Sequence, residues 1–392
     1  MKLKSYKSAR LKDKFVLLRA ALETPVKKRG NKYVVDDLAR LQAIVPTIRY
    51  LQKNRCKIIL VSYNGRPQKK TARYKLDPQA SGLSKLLGQK VKKLDDCIGH
   101  KVKKTVSAMK PKEIILLANT RFYPSERKND FKFAKQLASL GDIFINDAFG
   151  QSYEPHASTT AITKYLPSYA GPLLLKEVTE LEKVIKNPQR PMVAIIGGAK
   201  ISNKIKVINK LLIKADYVLL GGALANTILI AQGIQVGKSL IEKNYIKIAK
   251  KLPITDVHLK IPVDVMVATK VSSRVKATYR PAGRVGDKEI ILDIGPDTIQ
   301  LYKSVISTAK TIIWNGPMGK YEFSAFAQGT KQIAKAIAQA KARTIVGGGE
   351  TVDCLSDYRL TQKIDFISTG GGAMLKFLKD ETLPALKPLT IK

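Results

Sequence analysis

Short runs of β-branched and aliphatic residues, each followed by a longer stretch with helical spacing, recur along this 392-residue chain. No other feature restricts the fold as much. Early runs are Phe15-Val16-Leu17-Leu18, Ile58-Ile59-Leu60-Val61, Ile114-Ile115-Leu116-Leu117 and Ile143-Phe144-Ile145. Later ones are Val193-Ala194-Ile195-Ile196, Tyr217-Val218-Leu219-Leu220, Val263 to Val267, Thr311-Ile312-Ile313-Trp314, Thr344-Ile345-Val346 and Phe366-Ile367. Between them apolar residues fall three and four apart, as in Leu38, Leu41, Ile44, Val45, Ile48 and Leu51. Runs apolar at every position suit strands buried on both faces. Strand and helix in alternation predicts parallel sheets covered by helices.

The runs form two groups. Between them, Leu173 to Asn187 carries Leu174, Val178, Leu181 and Ile185 on one stripe, opened after Gly171-Pro172 and closed before Pro188. This reads as one linking helix. The expectation is two α/β domains of similar size, residues 1–170 and 188–378, joined by a helix at 171–187, with a tail at 379–392.

Ligands of parallel sheets bind at the carboxyl ends of the strands, and there the halves differ. The first half offers Arg19 with a loop from Pro25 to Gly30, then Asn64-Gly65-Arg66-Pro67, Asn119-Thr120-Arg121 and Asn146 to Gly150. The second offers Gly197-Gly198-Ala199-Lys200, Gly221-Gly222, Asn315 to Gly319, Gly347 to Thr351 and Thr369 to Gly372. Glycine-rich turns let backbone N–H groups approach phosphate oxygens, and a following helix N-terminus favours negative charge. Arginine grips carboxylate and phosphate in a two-pronged fork. A nucleotide on the second half and a small phosphorylated acid on the first is the natural reading. Singly, each signal has an ordinary explanation: a Gly-Gly turn is often only a tight connection, Arg19 or Arg66 a surface ion pair, His156 a loop histidine. The conjunction is what those explanations do not predict.

Composition closes off other classes. Hydrophobic residues make up 44% and charged residues 26%, a globular balance. No apolar run approaches the roughly 18 residues of a membrane span, and no secretory signal is visible at the N-terminus. Cys56, Cys97 and Cys354 lie far apart and only three histidines accompany them, which disfavours zinc and suits reduced thiols in a cytoplasmic protein. Lys and Arg number 70 against 31 Asp and Glu, a net charge of +39. The basic runs are short and little interleaved with aromatics. They favour a solvated basic surface and leave open weak, non-specific binding of nucleic acid or another polyanion.

The chain resembles the phosphoglycerate kinase family. The matching stretches, in order, are Ser62–Pro67 (SYNGRP), Leu116–Phe122 (LLANTRF), Glu126–Asp130 (ERKND), Asn146–Gly150 (NDAFG), His156–Thr159 (HAST), Gly197–Ile205 (GGAKISNKI), Gly221–Thr227 (GGALANT), Asp293–Thr298 (DIGPDT), Trp314–Gly319 (WNGPMG), Gly347–Thr351 (GGGET) and Ser368–Ala373 (STGGGA). The resemblance implies two Rossmann-like parallel-sheet domains joined by a helix and hinge, an N-terminal one for phosphoglycerate and a C-terminal one for nucleotide. It implies a tail returning to the N-terminal domain, a monomer, and Mg²⁺-dependent phosphate transfer between ATP or ADP and the carboxylate of 3-phosphoglycerate. Arg40, Lys204 and Lys200 then resemble the catalytic cations on the phosphates. Arg19, Arg66, Arg121 and His156 resemble the acid-substrate site. Gly198, Lys200, Gly222, Asn315, Glu322, Gly348, Gly349, Thr351 and Gly371 resemble the nucleotide site, with Glu322 toward the ribose and Glu350 on Mg²⁺.

The departures concentrate in the first half. Where the family pattern has Arg-x-Asp-[Leu/Phe]-Asn, the chain reads Arg19-Ala20-Ala21-Leu22-Glu23. Tyr63 stands for a histidine, Tyr153 lies in the segment that departs from the family's GTAHRAHAS, and Glu154 stands for an arginine. On the nucleotide side the changes are milder: Ala223 for Gly, Asn203 for Asp and Glu350 for Asp. Three readings follow: an active kinase, a kinase of changed acid substrate, and a non-catalytic nucleotide- or polyanion-binding relative.

Overall fold

A computed structural model of the chain describes residues 1–30 and 32–391. They form two compact units, Met1–Thr179 with Thr382–Lys392, and Glu180–Glu381. The division falls inside the helix Pro172–Lys186, between Thr179 and Glu180, rather than at the helix ends. Residues 379 to 381, assigned to the tail by sequence, belong to the second unit.

The first unit is built on a six-stranded parallel sheet. Its order is Val91–Lys93, Ile114–Leu116, Lys57–Val61, Phe15–Ala20, Ile143–Asp147, Ser168–Ala170. Side chains alternate across a strand. Val16, Leu18, Ile58 and Leu60 therefore enter one core, and Leu17, Ile59, Val61 and Phe144 the other. Both faces are covered, so the runs carry no polar alternation.

The second unit repeats the plan: Leu259–Lys260, Tyr217–Leu220, Met192–Ile196, Thr311–Asn315, Arg343–Gly347, Phe366–Ser368, all parallel. In each unit the earliest strand lies inside the sheet, and later strands add on either side of it. The order therefore reverses beside Phe15–Ala20 and beside Met192–Ile196, and crevices open where strand order reverses.

Two elements differ from the sequence expectation. Val263–Val267 was expected in a parallel sheet. Asp264–Ala268 instead pairs antiparallel with Thr278–Pro281 and Ile290–Ile294 in a separate three-stranded sheet. A five-residue run with four apolar positions does not encode the direction of its partner. The loop from Pro25 to Gly30 contains the strand Val26–Arg29, paired antiparallel with Lys32–Val35. Its lysines had masked an exposed hairpin. The linking helix starts at Pro172, and the Asp147 carboxylate accepts a hydrogen bond from Leu174 N at 3.0 Å.

Candidate active site

In the second unit the strand ends are turns made of glycine, pressed against one another. Gly198, Gly222, Gly316 and Gly348 all have positive φ, between +67° and +107°. A Cβ on Gly222 would lie 2.5 Å from Gly198 N and 2.6 Å from Gly198 O, so only hydrogen fits. A Cβ on Gly371 would run into the Gly348 backbone. Hydrogen bonds lock the turns: Gly197 N to Asn315 O (2.9 Å), Gly198 N to Pro317 O (2.8 Å) and Gly222 N to Met318 O (2.8 Å). The Asn315 amide donates to Gly347 O at 2.7 Å, and Gly316 N donates to Thr351 Oγ at 2.7 Å. Asn315 and Thr351 thus hold neighbouring turns together.

Three helices, Ala223–Ala231, Gly349–Asp357 and Gly371–Asp380, start from these turns with no side-chain cap. In the first of them Leu224 N and Ala225 N already donate to Gly198 O and Gly222 O, both at 3.0 Å. The first N–H groups of the other two are left for an outside acceptor, and the helix dipoles favour an anion. A Cβ on Gly349 or Gly372 would meet nothing within 4 Å. That side of the last two helix starts is open.

Lys204 sits just before the helix Ile205–Lys214 and folds its ammonium under the turns. Nζ donates to Gly197 O and lies 3.4 Å from Asn315 O. Burial pulls its pKa down to about 8, against the opposing pull of Glu350. Lys200 is exposed nearby in the chain. Glu350 is exposed in the first turn of Gly349–Asp357. Glu322 is 46% exposed and pairs with Lys320 at 3.0 Å. One cavity, walled by Gly198, Gly222, Leu240, Met318, Glu322 and Glu350, joins the glycine turns to an apolar floor. Seven of the nine nucleotide-site residues predicted from sequence are thereby brought together by shared walls or mutual contacts: Gly198, Gly222, Asn315, Glu322, Gly348, Thr351 and Gly371.

The first unit uses side chains instead. Arg19, next to last in the strand Phe15–Ala20, is fully buried. Nε donates to Ser158 Oγ (3.0 Å), and Nη1 to Gln151 Oε1 (2.5 Å) and the carbonyl of Ala20 (3.0 Å). Ser158 Oγ in turn donates to the buried Glu126 at 2.5 Å. Burial lowers the Arg19 pKa and Glu126 opposes the shift. Arg121, 8% exposed, donates Nη1 to Gly65 O at 3.0 Å and lies 3.4 Å from the centroid of the Tyr63 ring. The His156 ring meets Tyr63 edge-on at 6.0 Å, and burial drives its pKa to about 3, so it is neutral. Glu154 Oε2 stands 3.7 Å from His156 Nε2. Arg40 donates to the Glu23 carbonyl, while the Glu23 carboxylate accepts from Gly65 N at 2.9 Å. Arg66 is exposed.

The structure thus groups Arg19, Arg121 and His156 around Tyr63, and ties Arg40 to the Gly65 loop through Glu23. Sequence reasoning singled out no role for Glu126, Gln151 or Ser158, which anchor Arg19. Glu126 lies in a matched motif, whereas nothing in the pattern marked Gln151. Glu23 was expected only as a loss; it is the strut of the loop that carries Arg66.

Among the described residues no helix is long and apolar enough to cross a membrane. The phosphoglycerate kinase family model matches residues 6–381. The phosphoglycerate kinase of Borrelia garinii is 44% identical over 381 residues, 96% of each chain. That of Moorella thermoacetica is 44% identical over 391 residues, 98% of each. Among solved structures, phosphoglycerate kinase from Coxiella burnetii superposes with a TM-score of 0.85 at 38% identity, covering 99% of this chain and 98% of that one. The enzyme from Pyrococcus horikoshii has the same TM-score and coverage at 30% identity. With glycine turns and a buried lysine on one unit, clustered arginines on the other, and these matches along nearly the whole length, the chain belongs to the phosphoglycerate kinase family.

Proposed function

We propose that the protein is a phosphoglycerate kinase, which interconverts 1,3-bisphosphoglycerate plus ADP and 3-phosphoglycerate plus ATP in glycolysis. The observation that carries this reading is the Lys204 ammonium lodged among the glycine turns, a preformed positive centre where phosphate would lie. Phosphoryl transfer needs alignment and neutralised charge more than covalent help. Lys204 and Arg40 are assigned to the transferring group and Lys200 to a neighbouring phosphate. The turn at Gly198 and the helix starts at Gly222, Gly348, Gly349 and Gly371 receive phosphate oxygens, and Glu322 takes the ribose. Asn315 and Thr351 hold those turns in place. Arg19, Arg66, Arg121 and His156 are assigned to the phosphorylated acid.

Mg²⁺ fits Glu350. Its carboxylate is exposed at a helix start and close enough to Lys204 to perturb its titration. The described residues contain no group of three or more His, Cys, Asp or Glu suited to a metal. The remaining ligands would come from phosphate oxygens and water, as is usual for Mg²⁺. The ion would neutralise phosphate charge. The protein is further proposed to act as a cytoplasmic monomer whose affinity for nucleic acid is weak and non-specific.

A coupled assay with Mg-ATP and 3-phosphoglycerate tests the reading. Turnover dependent on both substrates is expected. Nucleotide binding without acid-dependent turnover would reject it.

A further inference from the structure

Four buried polar atoms without a protein partner belong to three residues around one aromatic ring and to the glutamine bonded to one of them: Arg19 Nη2, Arg121 Nε, His156 Nδ1 and Gln151 Nε2. Three are N–H donors. Buried donors normally find acceptors, so this cluster is arranged for an acceptor that arrives from outside. At its centre lies Tyr63, 2% exposed. The Arg121 guanidinium carbon is 3.4 Å from the ring centroid, that of Arg19 is 5.2 Å away, and the His156 ring meets the edge. Glu126 serves Arg19 through Ser158. Among the described residues Arg121 makes one side-chain hydrogen bond, to the Gly65 carbonyl. The ring therefore supplies what a carboxylate would otherwise supply: it fixes the plane of Arg121 without consuming its charge.

We propose that Tyr63 is a positioning residue of the acidic-substrate site, and that its ring, not its hydroxyl, sets affinity for the phosphorylated acid by holding Arg121 in place. The proposal rests on the phosphoglycerate reading of this unit. A guanidinium stacked on a desolvated ring gains more than one exposed to water. An arginine already held flat loses less freedom when it meets an anion. The phenol stays neutral at any working pH, because burial pushes its pKa up to about 12. It therefore adds no negative charge next to Glu23.

The test compares Tyr63→Phe with Tyr63→Leu and Tyr63→Met in the full chain. Readouts are KM for 3-phosphoglycerate, KM for ATP, kcat, and the thermal shift produced by 3-phosphoglycerate without nucleotide. Y63F should stay within about twofold of the parent. Y63L and Y63M should raise KM for the acid roughly five- to thirtyfold, reduce the thermal shift, and leave KM for ATP unchanged. Three outcomes would overturn the proposal: Y63F as impaired as Y63L, which makes the hydroxyl a ligand contact; Y63L or Y63M with unaltered affinity for the acid; or equal losses toward both substrates, which marks a general structural defect. If Y63L loses the cooperative unfolding of the parent, Y63M and Y63F decide. A parent without acid-dependent turnover or thermal shift would instead reject the phosphoglycerate reading itself.

Discussion

The two units share a sheet plan but build their sites from different parts of the chain. The second unit uses backbone: positive-φ glycines, uncapped helix starts and one lysine. The first uses side chains: arginines braced by Gln151, Ser158, Tyr63 and carbonyl oxygens. A site of side chains drifts by substitution, because each new residue can be re-braced by its neighbours. Glu23 bracing the Gly65 loop shows how. A site of packed backbone drifts less readily, because a Cβ added at Gly197, Gly222, Gly316 or Gly371 meets main chain. The departures from the family pattern accordingly gather in the first unit, at Ala21, Glu23, Tyr63, Tyr153 and Glu154, while the glycines of the second are intact apart from Ala223.

The contrast breaks if Gly222→Ala is tolerated. At φ +67° with Gly198 N at 2.5 Å, the change should destabilise the protein by on the order of 3–5 kcal/mol and remove nucleotide binding. Urea unfolding and ATP titration would show both. A variant as stable as the parent would mean that the turns can open.

Next in size is Lys204→Ala. Removing a preorganised cation should lower kcat by about 10²–10³, with nucleotide affinity changed much less. Steady-state kinetics beside calorimetric titration of ATP separate the two quantities. Equal losses would reduce Lys204 to a ground-state phosphate contact.

Glu154→Arg sharpens the comparison from the other side. A charge-assisted hydrogen bond is worth roughly 1.5–3 kcal/mol. KM for 3-phosphoglycerate should fall about tenfold or more while KM for ATP stays put. A neutral or harmful result would show that the acid lies elsewhere in the patch.

The smallest effect is a titration. His156 is neutral when folded because burial drives its pKa to about 3 from an ordinary 6.5. The unfolded chain takes up a proton below 6.5 that the folded one refuses, so stability falls as pH drops from 6.5 toward 3. Between pH 7 and 6 the loss is less than about 1 kcal/mol. Asp147, raised to about 6 by burial, works in the opposite sense where the two windows overlap. Thermal midpoints of the parent and of His156→Gln measured across this range should converge at acid pH. Parallel curves would mean that His156 charges in the folded state.

Much of this was legible in the sequence for physical reasons. Doubly buried strands leave unbroken apolar runs, and glycine turns leave glycines, so the central strands and the nucleotide side could be read directly. Strands of two or three residues, Val91–Lys93, Ser168–Ala170 and Leu259–Lys260, are too short to show a period. Ile290–Ile294 resembles any parallel strand, because the direction of pairing depends on distant partners. In the first unit the arginines could be seen but their supports could not. That Gln151 reaches Arg19 across 132 residues follows from the fold, not from local spacing.

The last turns of the chain are stitched to its beginning. Thr390 bridges Leu3, Ile391 N donates to Lys2 O at 2.8 Å, and Lys4 N donates to Leu389 O at 2.8 Å. Ala385 N reaches Ser152 O at 3.3 Å, next to the residue that braces Arg19. During synthesis the second unit therefore has its whole sequence available before the first can close. The nascent first unit must wait through about two hundred intervening residues, some tens of seconds at ordinary elongation rates of roughly 5–20 residues per second. Over that interval the Lys2–Lys4 backbone and the Ser152 carbonyl lack the partners that the tail will bring.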